Sequence, residues 1–290
     1  MYDSQYGFRK EHSTEFAALE LIDRILTRMD NKEIPINIYL DLSKAFDTLD
    51  HSILIDKLEF YGVEGVALDL FKNYLTNRKQ YVEFEDAQSD RLNISTGVPQ
   101  GSILGPLLFI IYINDFAQSS PKFNFIMYAD DTTLSSTLDS FAQYGKNENV
   151  EFLINTELDK INEWLKLNKL SLNVNKSKYM IFKTARRINM INPLNIKIDN
   201  TYIDRVDEFN FLGISFNEQL NWQSHINKIS NRCSRIIGIL NKLKRLLPLN
   251  IKIMLYNTLI LSHLNYGLTA WGYRCDRIKN FKRKPSELYV

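Results

Sequence analysis

The sequence predicts an α+β fold in which an antiparallel sheet has helices behind it. Short stretches with alternating apolar residues indicate strands, and longer stretches with apolar residues at helical spacing indicate helices. The two patterns follow one another as strand, helices, hairpin, helix, hairpin, helix, strands and helices. We therefore expect strands that are distant in the chain to meet in one sheet.

The composition is that of a globular protein without a membrane segment. Of the 290 residues, 44% are hydrophobic and 24% are charged, which is ordinary for a folded domain. No apolar run reaches the roughly 18 residues that a membrane-spanning helix needs. Cys233 and Cys275 lack C-x-x-C spacing, so we expect a reducing, intracellular environment, nuclear or cytoplasmic. The oligomeric state is left open.

Charge is distributed unevenly along the chain. Residues 216–290 carry 13 Lys and Arg against 3 Asp and Glu, a net charge of +10, whereas the first 215 residues have a net charge of −8. A basic arm joined to an acidic body fits binding of a polyanion. The alternative is a helical arm whose lysines only keep it soluble.

The first helix and the first strand are indicated by their apolar patterns. Ser13 or Thr14 caps a helix that runs to about Met29. The predicted apolar face of this helix consists of Phe16, Leu19, Ile22, Ile25, Leu26 and Met29. After Pro35, apolar residues alternate in a strand that ends at Asp41. A carboxylate at the end of a buried strand is a common place for a site.

Two helices and a hairpin are predicted to follow this strand. Asp50 or Ser52 caps a helix that is stopped by Gly62, and a second helix covers about 65–75. Two strand-like pieces within 80–94 lie on either side of a polar turn. We expect these two pieces to pair as a hairpin.

A glycine-rich turn and an acidic hairpin lie in the middle of the chain. Residues 97–106 read Gly-Val-Pro-Gln-Gly-Ser-Ile-Leu-Gly-Pro and lead into an apolar helix over about 107–116. The glycines allow the backbone to approach a ligand closely, and the start of the helix offers free N–H groups to a phosphate. Residues 125–134 predict a short hairpin with Asp130 and Asp131 at or beside its tip.

A polar loop over 139–149 is predicted to precede a long amphipathic helix. The apolar residues expected on this helix are Phe152, Leu153, Leu158, Ile161, Trp164, Leu165 and Leu167. Strand patterns follow at 170–182, 196–198 and 209–216.

Two C-terminal helices are predicted, one from Trp222 and one over about 250–266, with Pro248 between them. The apolar stripe of the first helix consists of Trp222, Ile226, Ile229, Cys233, Ile236, Ile237, Leu240 and Leu243. The basic residues that lie largely off this stripe are Lys228, Arg232, Arg235, Lys242, Lys244 and Arg245.

The adjacent acids Asp130 and Asp131 indicate a metal site. Two like charges at one turn resist ionising together, and a divalent cation that prefers oxygen ligands, such as Mg²⁺, removes that cost. A solvated turn is the ordinary alternative for such a pair. Asp41 can reach the same edge if its strand and the hairpin share one sheet.

Several motifs occur in the order found in one protein family. They cover residues 39–47 (Tyr-Leu-Asp-Leu-Ser-Lys-Ala-Phe-Asp), 97–106, 128–131 (Tyr-Ala-Asp-Asp), 165–178 and 211–213, with 5–13 ahead of them. Together they resemble the reverse transcriptase domain of non-LTR retrotransposons, LINE-like and of the jockey type. The resemblance covers nearly the whole chain, and it implies a right-hand polymerase with a palm, partial fingers and a helical thumb.

The resemblance implies an RNA-directed DNA polymerase. Such an enzyme uses an RNA template and a DNA primer, and it transfers a nucleotide from a dNTP to the 3′-hydroxyl of the primer. It is expected to hold two divalent ions, Mg²⁺ with Mn²⁺ as the alternative, on Asp41, Asp130 and Asp131. Asp131 is expected to be the weaker third ligand.

The resemblance also implies residues that bind the nucleotide. The carbonyl of Leu42 completes the metal site on the nucleotide side, and Gln100 and Gly101 line the pocket. Phe46 lies where the family has an aromatic gate against a ribose 2′-hydroxyl. An ordinary core phenylalanine is the alternative for Phe46.

Two further groups of residues follow from the resemblance. Lys176 is the candidate for protonating the departing pyrophosphate, with Lys178 as its rival and a plain surface lysine as the alternative for either. The segment expected to grip the primer is Phe211, Leu212 and Gly213. The thumb residues expected to contact the nucleic-acid backbone are Lys228, Arg232, Arg235 and Lys242. Asp47 and Asp50 are expected to be capping or structural acids.

The resemblance divides the chain into a fingers remnant (1–36), a palm (37–216, with fingers and palm helices at 52–95) and a basic helical thumb with a truncated tail (217–290). The earlier fingers motifs and the endonuclease of such elements do not occur in this chain, and 279–285 departs from the apolar spacing of the family. We therefore expect a chain truncated at its N-terminus, with a frameshift or a truncation near its C-terminus. The alternatives are an inactive fragment that only binds nucleic acid and an RNA-directed RNA polymerase, against which Phe46, Tyr128 and Ala129 argue.

Overall fold

The structure, a computed structural model, describes residues 1–144, 149–183 and 194–272. These residues form two compact units. One contains Met1–Ser13 and the described parts of Pro35–Tyr179 and Asn192–Arg205. The other contains Thr14–Ile34 and the described parts of Met180–Ile191 and Val206–Val290. The expected tail of the thumb, with Cys275 and 279–285, lies outside the described residues, and the division into fingers, palm and thumb stays a prediction.

Helices and strands are distributed along the whole described chain. The first part contains α1 (Thr14–Asp30), β1 (Pro35–Ser43), α2 (His51–Phe60), α3 (Gly65–Leu75), β2 (Lys79–Gln80), β3 (Glu83–Phe84), β4 (Ala87–Gln88), β5 (Leu92–Asn93) and α4 (Leu104–Tyr112). The middle part contains a 3₁₀ turn (Phe116–Ser119), β6 (Asn124–Tyr128), β7 (Asp131–Thr137), α5 (Leu138–Tyr144) and α6 (Val150–Leu167). The strands that follow are β8 (Ser171–Leu172), β9 (Lys178–Ile181), β10 (Lys197–Ile198), β11 (Thr201–Tyr202), β12 (Asp204–Arg205), β13 (Glu208–Phe211) and β14 (Ile214–Asn217). The chain then continues with α7 (Gln223–Lys242), α8 (Leu249–Leu255), a π-helical turn (Tyr256–Leu261), α9 (Ser262–Asn265) and α10 (Leu268–Trp271).

In the described residues, a six-stranded sheet forms the centre of the first unit. Its order is β12-β9-β1-β7-β6, and β8 pairs with the end of β1. β1 pairs with β7, and β7 with β6, in antiparallel orientation, whereas β12 and β9 are parallel. The apolar residues of β1 are buried because β1 lies inside the sheet. The α+β class with an antiparallel sheet is therefore confirmed, with one parallel pair at its edge.

Aromatic side chains join the helices of the first unit to this sheet. The ring of Phe116 lies 5.2 Å from that of Phe125 in β6 and 4.6 Å from that of Trp164 in α6. The Tyr112 hydroxyl of α4 donates to the Asn168 carbonyl at 2.7 Å. Burial of each phenylalanine side chain contributes about 1.5–3 kcal/mol to the stability of the fold. These contacts therefore stabilise the packing of the helices against the sheet.

The C-terminal helices of the second unit follow the predicted stripe. Cys233 of α7 is buried with Ile260 and Leu264 in one cluster. The partly buried residues packed against this cluster are Ile229, Ile236, Ile237, Leu240 and Tyr256. The predicted stripe is thus confirmed for Ile229, Cys233, Ile236, Ile237 and Leu240, whereas Leu243 at its end is exposed. In residues 1–144, 149–183 and 194–272, no helix combines the length and apolar character that crossing a membrane requires.

The apolar faces predicted for α1 and α6 are partly wrong. In α1 the buried residues are Ala17, Ala18, Leu21, Ile22 and Ile25, whereas Phe16 is 55% exposed. In α6 Phe152 and Leu167 are exposed, and Ile154 and Glu157 are buried. Small residues allow close packing, and Glu157 is buried because Lys160 and Ser120 bond its carboxylate. A pattern based only on large apolar residues therefore misses the buried alanines of α1 and the buried Glu157 of α6.

Several element boundaries also differ from the prediction. Residues 138–144, expected to be largely polar loop, form α5, and 145–148 lie outside the described residues. The strand patterns at 170–182 and 209–216 are each interrupted by a turn, so they give two strands apiece. The hairpin within 80–94 is nested, because β2 pairs with β5 and β3 with β4. Short apolar runs do not show where a turn interrupts them.

Candidate active site

Three acidic residues lie at one end of the sheet, and we call Asp41, Asp130 and Asp131 the carboxylate edge. In the β1–β7 register Asp41 lies opposite Asp131, and in the β6–β7 register Tyr128 lies opposite Asp131. Ala129 and Asp130 therefore form the two-residue turn of the hairpin. The predicted hairpin, and the predicted approach of Asp41 to it, are both confirmed. The catalytic role of these acids stays a prediction.

The carboxylate edge concentrates negative charge. Loss of hydration raises the pKa of Asp131, and the charges of Asp130 and Asp41 raise it further. The residue retains solvent exposure, so a cation has access to it. Because like charges at one place cost free energy, a bound cation would stabilise this arrangement.

The chemistry of these donors fits a hard divalent ion, since carboxylate oxygens are the ligands that Mg²⁺ prefers. In the part of the chain that the structure describes, however, no three His, Cys, Asp or Glu side chains are close enough to form a ready-made ion site. The backbone of the carboxylate edge is thus in place, while its side chains do not converge as a closed set of ligands.

The turn between β6 and β7 is held by the N-terminal segment. Ala129 has φ of 54°, a left-handed conformation that is uncommon for alanine. The Oε1 atom of Gln5 accepts hydrogen bonds from the Ala129 N–H at 3.2 Å and the Gly7 N–H at 2.8 Å. Tyr6 donates to the Met127 carbonyl at 2.7 Å, and Met127 donates to the Ser4 carbonyl at 2.9 Å. No local pattern in the sequence predicts this role of Gln5.

Asp41 is supported on its other side by the turn after β8. Asn173 donates its N–H to the Asp41 carbonyl at 2.8 Å, and the Asp41 N–H donates to the Ser177 hydroxyl at 3.3 Å. This turn brings the Lys176 ammonium to 3.9 Å from a carboxylate oxygen of Asp41. Lys178 instead bonds Asp204 and the Asn175 carbonyl, each at 2.7 Å. Of the two rival lysines, Lys176 is the one beside the carboxylate edge.

Phe46 is fixed by two other aromatic rings. Its ring stacks on that of Phe109 at 4.5 Å and meets the edge of Phe8 at 6.2 Å. Phe46 is only partly buried, unlike Phe109, which is fully buried. Leu42 is buried and pairs with Leu172 through the backbone. The Phe46 ring is therefore held by two aromatic contacts and stays partly exposed.

The glycine-rich turn at 97–106 contacts the segment that contains Phe46 and Asp47. Val98 donates to the Phe46 carbonyl at 2.9 Å, and a Cβ on Gly97 would lie 2.6 Å from the Asp47 carbonyl oxygen. The Gln100 side chain donates to the Asp47 carboxylate at 2.9 Å, and Gly101 is exposed with φ of 75°. Asp47 thus orients Gln100.

Asp50 caps α2, as predicted, because its carboxylate accepts from the N–H groups of Ser52 and Ile53. It also bonds the Lys169 ammonium, and this bond is the largest influence that lowers the pKa of Asp50. Asp50 is therefore occupied by structural contacts.

In the second unit, the predicted primer-grip residues form the turn between β13 and β14. Phe211 is buried, and Leu212 and Gly213 have φ of 48° and 83°. The Tyr266 hydroxyl donates to the Leu212 carbonyl at 2.6 Å, and its ring would lie 3.3 Å from a Cβ on Gly213. Gly213 thus provides both the positive φ and the space for Tyr266. Tyr266 lies in an apolar helical pattern, and nothing in that pattern predicts its contact with this turn.

The basic residues predicted to contact nucleic acid differ in their partners. Arg232, Arg235 and Lys242 are exposed on α7, and Arg235 donates to the Asn231 carbonyl of its own helix at 3.3 Å. Lys228 bonds Glu208 and the Ser215 hydroxyl. The Lys228 ammonium is the first cause that lowers the pKa of Glu208. Lys228 is therefore engaged inside its own unit, in contrast to Arg232 and Lys242.

Comparison with known proteins gives a family and a set of relatives. Residues 1–216 match the family described as reverse transcriptase (RNA-dependent DNA polymerase). A probable RNA-directed DNA polymerase from transposon X-element of Drosophila melanogaster is 27% identical over 99% of this chain and 32% of its own length. The RNA-directed DNA polymerase from mobile element jockey of the same species is 27% identical over 92% of this chain and 29% of its own length. The resemblance to retrotransposon polymerases of the jockey type is confirmed.

This chain spans about a third of the length of these relatives. Among solved structures, telomerase from Candida albicans in complex with a fragment of telomeric RNA is similar, with a TM-score of 0.48 and 15% identity. The similarity covers 98% of this chain and 48% of the telomerase chain.

Proposed function

The chain belongs to the reverse transcriptase (RNA-dependent DNA polymerase) family, and from this premise we propose that it copies RNA into DNA by adding nucleotides from dNTPs to a primer 3′-hydroxyl. The observation that carries this proposal is the β1–β7 register, which brings Asp41 opposite Asp131. Two carboxylates from separate parts of the chain, joined by a third in the turn, are the arrangement that metal-assisted phosphoryl transfer needs.

Asp41 and Asp130 are the proposed main ligands of the divalent ions, with Asp131 as the weaker third and the Leu42 carbonyl on the nucleotide side. Mg²⁺ is the expected ion and Mn²⁺ the alternative. When bound, such ions lower the pKa of the attacking hydroxyl and neutralise charge on the phosphate oxygens. Loss of hydration, followed by the charges of Asp130 and Asp41, raises the pKa of Asp131, and a bound cation would relieve the part that comes from these charges, which supports this assignment.

Lys176 is proposed to donate a proton to the departing pyrophosphate. Its position 3.9 Å from Asp41 supports this role, and the engagement of Lys178 with Asp204 argues against the rival. The Lys176 side chain is 71% exposed, so its contact with Asp41 is weak and leaves the ammonium available to a phosphate.

Phe46 is proposed to select deoxynucleotides. A ring held by Phe109 and Phe8 cannot easily turn away, so it would crowd a ribose 2′-hydroxyl. Gln100, oriented by Asp47, and Gly101 are the proposed wall of the nucleotide pocket.

In the second unit, the turn at Phe211, Leu212 and Gly213 is proposed to contact the primer. Arg232, Arg235 and Lys242 are proposed to contact phosphates of the template–primer duplex without reading its sequence. Lys228 is also proposed to contact phosphates. Its contribution to binding is expected to be smaller because Glu208 already neutralises its charge.

Primer extension on poly(rA)/oligo(dT) with dTTP tests the function, with the Asp130→Asn variant as its matched control. We expect extension by the wild-type chain and none above background by Asp130→Asn. Duplex binding, measured in parallel by fluorescence anisotropy, should be alike for both proteins.

The absence of extension by the wild-type chain, together with retained duplex binding, would contradict the polymerase proposal. It would favour a fragment that only binds nucleic acid. Incorporation of UTP in preference to dTTP would instead favour an RNA-directed RNA polymerase.

A further inference from the structure

The turn that presents Asp130 has a backbone conformation that its sequence does not favour. Two-residue hairpin turns require positive φ and are normally built from Asn-Gly or Asp-Gly. Here the residues are Ala129 and Asp130, and Ala129 has φ of 54°. An alanine in this conformation is strained because its Cβ crowds the following carbonyl. A contact from outside the hairpin must therefore stabilise the turn.

That contact comes from Gln5. Its side chain is 1% exposed, and its Oε1 atom accepts from the N–H of Ala129 and from the N–H of Gly7. The Ala129 N–H is the backbone donor immediately before Asp130, so this bond acts directly on the residue that sets the turn. A buried N–H group without an acceptor costs free energy, which makes the bond selective for the left-handed turn.

Backbone contacts on either side of Gln5 place its side chain beside the Ala129 N–H. Gly7 lies so close to Ala129 that a Cβ on Gly7 would overlap the Ala129 nitrogen. Tyr6 and Ser4 pair with Met127 through the backbone, so the segment is held beside the last residues of β6. Gln5 is thus placed by backbone pairing on one side and by the glycine on the other.

We propose that Gln5 is a positioning residue, which holds the Ala129–Asp130 turn in its left-handed conformation and thereby sets the direction of the Asp130 and Asp131 carboxylates. This inference rests on the proposed function for its catalytic consequence, while the hold on the turn stands independently. Gln5 touches neither nucleotide nor primer in this account. It acts through the backbone of Ala129.

Amide hydrogen exchange tests the hold on the turn, and primer extension tests its consequence. In the wild-type chain the Ala129 amide should exchange at least about tenfold more slowly than in Gln5→Met, which keeps the length of the side chain and removes the acceptor. The same variant should lower kcat for dTTP incorporation by about ten- to a hundredfold, with KM within about threefold of the wild-type value.

Ser120→Ala is the matched control. The Ser120 hydroxyl is buried and donates to Glu157 at 2.6 Å, just before the other end of β6. Its loss should lower Tm and leave both the exchange of Ala129 and kcat unchanged. Gly7→Ala is a second variant with the expected behaviour of Gln5→Met, because the added Cβ displaces the same turn.

The outcomes separate the two claims. If the wild-type chain does not extend primers, but Gln5→Met selectively speeds exchange at Ala129, the hold on the turn stands and the polymerase proposal fails. If the wild-type chain extends primers and Gln5→Met matches it in both exchange and kcat, the role of Gln5 is refuted. A fully exchanging Ala129 amide in the wild-type chain refutes it without any variant.

Discussion

The carboxylate edge and the basic helix α7 hold their proposed functional residues in different ways. Asp41 and Asp131 are aligned by strand register, and the turn of Asp130 is held by Gln5. Arg232 and Lys242 are exposed side chains on one helix face, and their neighbour Lys228 is bonded to Glu208. The positions of the acids in the carboxylate edge are therefore set by backbone pairing. The basic side chains of α7 are long and exposed, so their contribution depends on their charge and on the groups that they bond.

The largest effects should come from the carboxylate edge. Asp41→Asn and Asp130→Asn should each slow primer extension by about a hundred- to a thousandfold, since an amide cannot supply the anionic oxygen that holds a cation. Asp131→Asn should cost less, because Asp131 is the proposed weaker ligand. Single-turnover rates at saturating dTTP measure all three. Asp86→Asn, an exposed acid between β3 and β4, is the control and should behave as the wild type.

A second comparison concerns Lys176, which lies beside the carboxylate edge, and Lys178, which bonds Asp204 instead. Lys176→Ala should slow nucleotide incorporation by about a hundredfold and remove the fall in rate at alkaline pH, because the proton donor is lost. Lys178→Ala should leave the rate unchanged and lower the free energy of unfolding by up to about 1 kcal/mol, because it loses the bond to Asp204. A pH–rate profile and a urea titration measure these effects. The reverse pattern would assign the role to Lys178.

The stability of the second unit should depend on pH through His225. Burial, followed by the charge of Lys228, lowers the pKa of this histidine from 6.5 to about 4. Its Nδ1 atom accepts from the Ser215 N–H at 3.2 Å, which requires an unprotonated nitrogen. In the unfolded chain His225 binds a proton below pH 6.5, so its contribution is complete above that pH and is lost as the pH falls toward 4.

We therefore expect Tm to fall by several degrees between pH 7 and pH 5 by differential scanning calorimetry. His225→Asn retains an acceptor for the Ser215 N–H and should flatten this dependence. An equally steep fall in this variant would show that other groups cause it.

The smallest effects should come from α7. Arg232→Gln and Lys242→Gln should each reduce the slope of log K against log salt by about one, since each removes one phosphate contact. Lys228→Gln should change this slope less and lower Tm instead, because its ammonium is bonded to Glu208. Anisotropy titrations over roughly 50 to 200 mM salt, a range in which such slopes are resolved, measure the difference in slope among the three variants. Equal slopes for all three variants would mean that the ion pair has no influence on binding.

The sequence was sufficient for those parts of the site that depend on strand pattern. Alternating residues up to Asp41 and the run into Asp130 predicted two strands and a turn, and the register then follows from which faces are buried. The cap at Asp50 and the helix over Gly65–Leu75 were also predicted, because capping and helical spacing are local signals.

The missed features depend on contacts between distant segments. Gln5 and Ala129 are 124 positions apart, and nothing near either residue indicates their hydrogen bond. Tyr266 reaches Leu212 across 54 positions. The burial of Ala17 and Ala18 in α1 was missed because alanine carries little hydrophobic signal, although it allows close packing, whereas the burial of Ile22 and Ile25 was predicted. Local patterns therefore predict the elements, while the supports of the site emerge only from the fold.

The most direct test of the account is whether the carboxylate edge binds divalent ions. Mn²⁺ binding can be measured by electron paramagnetic resonance in the complex with template, a chain-terminated primer and dTTP. We expect two tightly bound Mn²⁺ ions in the wild-type chain and in Asp86→Asn, and loss of tight binding in Asp41→Asn and in Asp130→Asn. Unchanged Mn²⁺ binding in both carboxylate variants would contradict it.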